Sequence, residues 1–153
     1  MTTDCAESGP FDLQGALGAS RAATLQKFSL YLPDRDRDGA PVASTEAWHA
    51  AAMTLFADVN GGATLLPPAD GIWNPDDGGE IVRESTRVVY SFIRDGERFE
   101  RDFDQLAVFI HSFGKHTRQG EVMVEFSGDV PGRGFVSRAY FVEEFSKAGP
   151  PPF

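Results

Sequence analysis

The chain has 153 residues, 41% of them apolar and 13 of them Phe, with a formal net charge of −9. That much apolar and aromatic material predicts one folded domain rather than a disordered chain. The acidity sets nucleic acid and anionic membranes aside as expected partners. Cys5 is the single cysteine, so it closes no internal disulfide and builds no Cys-based zinc cluster. No basic cluster precedes an apolar run near the N-terminus and no stretch is long enough for a bilayer span, so a cytoplasmic location is expected.

Residues 1–22 are rich in Gly, Ala, Ser and Asp and are expected to form a flexible N-terminal arm, with at most a helical turn around Phe11, Leu13 and Leu17. A single α+β domain is expected over 23–146. The stretch Leu25 to Leu32 alternates apolar and polar residues and predicts a strand. Beyond an acidic loop, Ser44 or Thr45 is placed to cap a helix with Glu46 in its first turn. Trp48, Ala51, Ala52, Leu55, Phe56 and Val59 then recur at helical spacing until Asn60-Gly61-Gly62 stops them.

Ala63 to Leu66 reads as a short strand cut by Pro67-Pro68, and Asp76-Asp77-Gly78-Gly79 as a turn. The long strand Ile81 to Ile93 follows. Phe99, Phe103, Leu106, Phe109, Ile110 and Phe113 make the apolar face of a second helix, closed by Gly114. Glu121 to Phe126 and Phe135 to Val142 are strands paired across a turn at Gly128 to Gly134. The prolines of Gly149-Pro150-Pro151-Pro152-Phe153 predict a disordered tail over 147–153. The order β-α-β-β-α-β with an added strand predicts a ferredoxin-like two-layer sandwich with an extra C-terminal strand.

Strand alternation then assigns faces. In the first strand Phe28, Leu30 and Leu32 turn to the helices and Lys27, Ser29 and Tyr31 turn away. In the long strand Val82, Glu84, Thr86, Val88, Tyr90 and Phe92 are assigned to the helix side. Arg83, Ser85, Arg87, Val89, Ser91 and Ile93 go to the uncovered side. Met123, Glu121 and Glu125 join them there. The uncovered face is thus expected to mix Tyr31, Arg83, Arg87, Glu121 and Glu125 into a surface for a protein partner, a second copy or a small anionic ligand.

Asp34, Asp36 and Asp38 followed by Gly39 resemble the opening of an EF-hand calcium loop. Position 12 of such a loop would be Thr45 rather than Glu, Pro41 stiffens the segment, and Arg35 and Arg37 interrupt the carboxylates, so a polar turn is expected. His49, His111 and His116 do not have the spacing of two ligands on one helix face, and a helix C-terminus accounts for the last two. Trp73 is expected in a loop, over a ligand or a core edge. Glu84 and His111 are the candidate acid–base groups, and Glu84 on the helix side would need a partner. Neither a glycine-rich phosphate loop nor a Gly-x-Ser-x-Gly elbow occurs, so no cofactor is expected.

The segment Gly71-Ile72-Trp73 through Pro75, Gly78, Gly79, Ile81, Arg83 and Glu84 to Ser85-Thr86-Arg87-Val88-Val89 resembles an uncharacterised bacterial family known only as a domain of unknown function. That family shows a Gly-x-Trp, a turn and an Ile-x-Arg-Glu-x-Ser/Thr strand, and the likeness would span residues 25–127. It implies a compact α+β fold and transfers no activity. The expected function is a small non-catalytic binding protein, of an accessory or immunity type, using the open sheet face. The alternative is a cofactor-free ferredoxin-like enzyme, an isomerase or small oxygenase, acting on a small polar or anionic substrate through Tyr31, Glu84, Arg87 and His111.

Overall fold

The computed structural model describes residues 10–21, 26–75, 78–130 and 132–153. Its elements, in chain order, are α1 (Leu13–Leu17), β1 (Lys27–Pro33), α2 (Thr45–Asn60), β2 (Thr64–Leu65), β3 (Ala69–Trp73), β4 (Val82–Phe92), α3 (Gly96–His116), β5 (Val122–Val130) and β6 (Gly134–Val142). The six strands form one antiparallel sheet in the order β2-β4-β1-β5-β6, with β3 also on the outer edge of β4. The fold is α+β. The edge beside β4 is divided between β2 and β3, and β6 lengthens the opposite side. Among the described residues no helix is long and apolar enough to cross a membrane.

The core lies between the sheet and the helices α2 and α3. Phe28, Leu30 and Leu32 of β1 meet Ala52, Phe56 and Val59 of α2 and Leu106, Ile110 and Phe113 of α3. Trp48 is buried at the junction, its ring 5.7 Å from Phe109 and 5.4 Å from Phe113. The spacing Leu106, Phe109, Ile110, Phe113 gives α3 its apolar stripe. Asp95 caps that helix by accepting from the Arg98 amide at 3.1 Å. Ser44 precedes α2 in the left-handed region (φ 60°), and its side chain makes no capping bond, so the cap expected of it is not used.

Four expectations are corrected here. Gly114 does not end α3, which continues to His116; Gly114 is buried where the Phe145 ring crosses the helix. Ala69 to Trp73 is a strand, not a loop: paired with β4, it uses its backbone bonds despite Pro67-Pro68 and a mid-strand Gly71. The last residues are tied to the helices rather than free. Ser112 Oγ accepts from the Gly149 amide at 2.8 Å, and the Phe153 ring lies 5.0 Å from that of Trp48.

The fourth correction decides the site. The two faces of β4 are the reverse of the assignment from sequence. Val89, Ser91 and Ile93 are buried under the helices, at 0%, 2% and 1% exposure, while Glu84, Thr86 and Val88 face the uncovered side. Register explains it: Leu30 pairs with Val89 and Tyr31 with Val88, so Leu30 and Val89 share a face. By apolar content alone, the face with Val82, Val88, Tyr90 and Phe92 is the one expected to be buried. The small Ser91 on the other face instead lets α2 approach, donating to the Gly62 carbonyl. The aromatic pair Tyr90 and Phe92 stays on the open side, with the Lys27 ammonium 5.2 Å from the Tyr90 ring centre.

Candidate active site

The uncovered sheet face carries a cavity of about 690 Å³, within the range of small-molecule sites. Its floor is Pro33 and Tyr31 of β1, Thr86 and Val88 of β4 and Met123 of β5. Strand β3 with Trp73 and Asn74 makes one wall, and Phe141 of β6 the far rim. The end wall is built from the loop holding Asp36 and Arg37 and the turn Gln119 to Glu121.

That end wall contains the segment with calcium-loop spacing. Its three carboxylates are engaged by the loop, by β4 and by the following turn. Asp36 Oδ1 accepts from the amides of Asp38 and Ala40, both at 2.9 Å, and Asp34 Oδ1 accepts from the Ser85 amide at 2.8 Å. Asp38 pairs with Arg118 at 3.0 Å. The Asp34 amide donates to the Ser85 carbonyl, carrying the β1–β4 pairing past Pro33, which has no N–H to give. The loop is clipped to the following turn by Gln119 Nε2 donating to the Arg35 carbonyl at 2.9 Å and the Arg37 amide donating to that of Arg118 at 3.0 Å. Among the described residues no group of three or more His, Cys, Asp or Glu side chains is arranged to hold a metal ion.

Glu84 is the chemical centre of the cavity. It is half-buried, and burial first, then the Asp34 charge, push its carboxyl above the ordinary range. Hydrogen bonds from the Trp73 indole and the Thr86 hydroxyl oppose that rise. Gly71 faces it across the β3–β4 ladder, and a side chain there would press on the Glu84 stem at 3.2 Å. Tyr31 donates to Glu125 Oε1 at 3.2 Å, and burial followed by the Glu125 charge raises its phenol. Glu121 also lines the cavity. Its lining therefore carries three acids, Asp36, Glu84 and Glu121, against one base, Arg37, while Asp70, opposite Ser85 in the ladder, contributes backbone and turns its side chain to the other face.

The other residues singled out from sequence lie elsewhere. Arg83 and Arg87 are on the helix side of β4, not the open face; Arg87 Nε donates to the Leu66 carbonyl at 3.0 Å. Its charge helps hold the half-buried His49 below the ordinary imidazole range, after burial as the first cause. His111 is in the helical layer, where Nδ1 accepts from the Lys147 amide at 3.1 Å; burial and the Lys147 charge lower its pKa. His116 Nε2 contacts the Gly149 carbonyl at 2.9 Å. The quartet Tyr31, Glu84, Arg87 and His111 thus separates into two cavity residues and two distant ones. Cys5 and the turn residues Asp76 and Asp77 lie outside the described residues. Nothing within β4 itself signals that Glu84 shares the open face with Tyr31; only the register with β1, Leu30 opposite Val89 and Tyr31 opposite Val88, sets that phase.

The fold resembles that of a phage SAM lyase. Its structure in complex with S-methyl-5'-thioadenosine matches with a TM-score of 0.56 and 14% identity, over 80% of this chain and 92% of that one. The apo state of a phage SAM lyase matches at 0.56 and 14%, over 80% and 91%. No protein-family model matches the sequence, and no curated protein matches it. The expectation of a non-catalytic binding protein is overturned by this likeness: the neighbours are enzymes.

Proposed function

We propose that the protein is an enzyme that cleaves a small nucleoside-bearing sulfonium of the SAM type on its uncovered sheet face. The observation that carries this reading is the acid-rich cavity around half-buried Glu84, on a fold whose neighbours include a lyase for such a substrate. A sulfonium is a fixed cation, and a lining of three acids, Asp36, Glu84 and Glu121, against one base favours it over an anion. Trp73, Tyr31 and Phe141 supply flat faces for a purine and for the electron-poor groups beside the sulfur. The acidic lining favours a cationic substrate over the small polar or anionic one expected from sequence.

The chemistry suits such a place. Breaking the carbon–sulfur bond sends both bonding electrons to sulfur, and the cation becomes a neutral thioether. In a lyase reaction the carbon is closed by an electron pair from within the substrate. A step that cancels an internal charge pair is favoured where water is displaced by apolar groups, here Val88, Met123 and Phe141. The carboxylates bind and orient the cation, while the apolar side chains supply the low polarity.

We also read the architecture as a ferredoxin-like sandwich elaborated by β6. Support comes from two helices on one face and from β1 lying between β4 and β5.

The test is direct. Purified protein incubated with SAM is expected to yield methylthioadenosine by liquid chromatography, and Glu84→Gln to slow its release. Unchanged SAM after prolonged incubation, with no heat on titrating SAM or methylthioadenosine, would sink the reading.

A further inference from the structure

We infer that Arg37 is a specificity-determining residue, holding the carboxylate of a substrate whose sulfonium carries an amino-acid tail. This rests on the sulfonium-cleaving function just proposed and names which sulfonium the site takes. The acids of the lining account for a cation, and they repel the carboxylate at the other end of an amino-acid-bearing substrate. Such a substrate enters only if a positive group meets that carboxylate. Among the described residues Arg37 is the one basic side chain on the cavity wall.

Its surroundings leave the guanidinium available. Arg118, from the adjoining turn, is paired with Asp38 at 3.0 Å, whereas Arg37 takes part in no ion pair among the described residues. Its main chain is held by the amide bond to Arg118 and by the neighbouring clip from Gln119 to Arg35. An anchored backbone with an exposed fork is suited to a bidentate carboxylate. Methylthioadenosine has no amino-acid tail, so Arg37 adds to substrate binding and not to binding of this product.

The experiment is calorimetric titration of the wild type and Arg37→Ala with SAM, decarboxylated SAM and methylthioadenosine. The wild type is expected to prefer SAM over decarboxylated SAM by about tenfold, and Arg37→Ala to reduce that preference to about twofold or less. Methylthioadenosine affinity is expected to stay unchanged, which also shows that the variant is folded. Arg37→Lys should retain part of the preference. Arg37→Ala weakening all three ligands alike, or leaving the SAM preference intact, would overturn the assignment while sparing the proposed function. Absence of binding to the wild type by any of the three overturns both.

Discussion

Glu84 shows how much one side chain depends on its neighbours. Its pKa is raised chiefly by burial, so its carboxylate gains a proton at higher pH than an exposed glutamate would. If that carboxylate faces the substrate cation, affinity for SAM falls as pH drops through the raised pKa, and Glu84→Gln abolishes that step. Loss of the charged contact is expected to weaken SAM by about ten- to hundredfold, measured by calorimetry across pH 4 to 8. Stability moves the other way. A raised folded pKa gives a contribution present below the unfolded value and lost as pH rises through the folded one. Glu84→Gln is therefore expected to raise Tm at neutral pH while lowering SAM affinity. The residue was legible in the sequence as an acid that needed a partner. Its face was not, because β4 carries valines on both sides and only pairing with Leu30 and Tyr31 sets the phase.

At the scale of elements, α3 illustrates a competition between propensity and packing. Replacing a helical glycine by alanine ordinarily gains about 1 kcal/mol. At Gly114 the added methyl would overlap the Phe145 ring, which packs against the core. Overpacking of this kind costs about 1–3 kcal/mol, so Gly114→Ala is expected to be destabilising in urea denaturation. Gly114→Ala with Phe145→Ala should cost less than the sum of the two single changes. The helix itself follows from its apolar spacing and the Asp95 cap. Its continuation through Gly114 does not, because a glycine near a predicted end reads as a stop until a distant ring is seen to require it. The same holds for β3: Pro67-Pro68 and Gly71 read as punctuation, and the ladder along β4 overrides them.

Across the whole molecule, the C-terminal segment joins the helical layer through contacts that no local pattern predicts. Ser112 both accepts from the Gly149 amide and donates to its carbonyl, and Phe153 covers Trp48. Deleting residues 149–153 is expected to cost about 1–3 kcal/mol in urea denaturation, with the sheet face unchanged. The two lowered histidines give a second expectation. A depressed folded pKa contributes stability that is present above the unfolded value, about 6.5, and lost as pH falls through the folded one. Protonating His111 also converts Nδ1 from acceptor to donor and breaks its bond from the Lys147 amide. Tm is therefore expected to fall as pH drops from 7.5 to 5, and to fall less in His111→Ala.

The sequence by itself determined the apolar repeat of both helices, the alternation of β1 and β5 and the α+β class, because these rest on periods of a few residues that any packing must respect. Tertiary structure alone decided which side of β4 meets the helices, that β3 is a strand, and that the acidic loop is a cavity wall. Each depends on partners distant along the chain, such as Leu30 with Val89, Gly71 with Glu84 and Arg35 with Gln119. A strand with apolar residues on both faces has no preferred orientation until a neighbour is hydrogen-bonded to it. That pairing places Glu84 in the cavity with Tyr31.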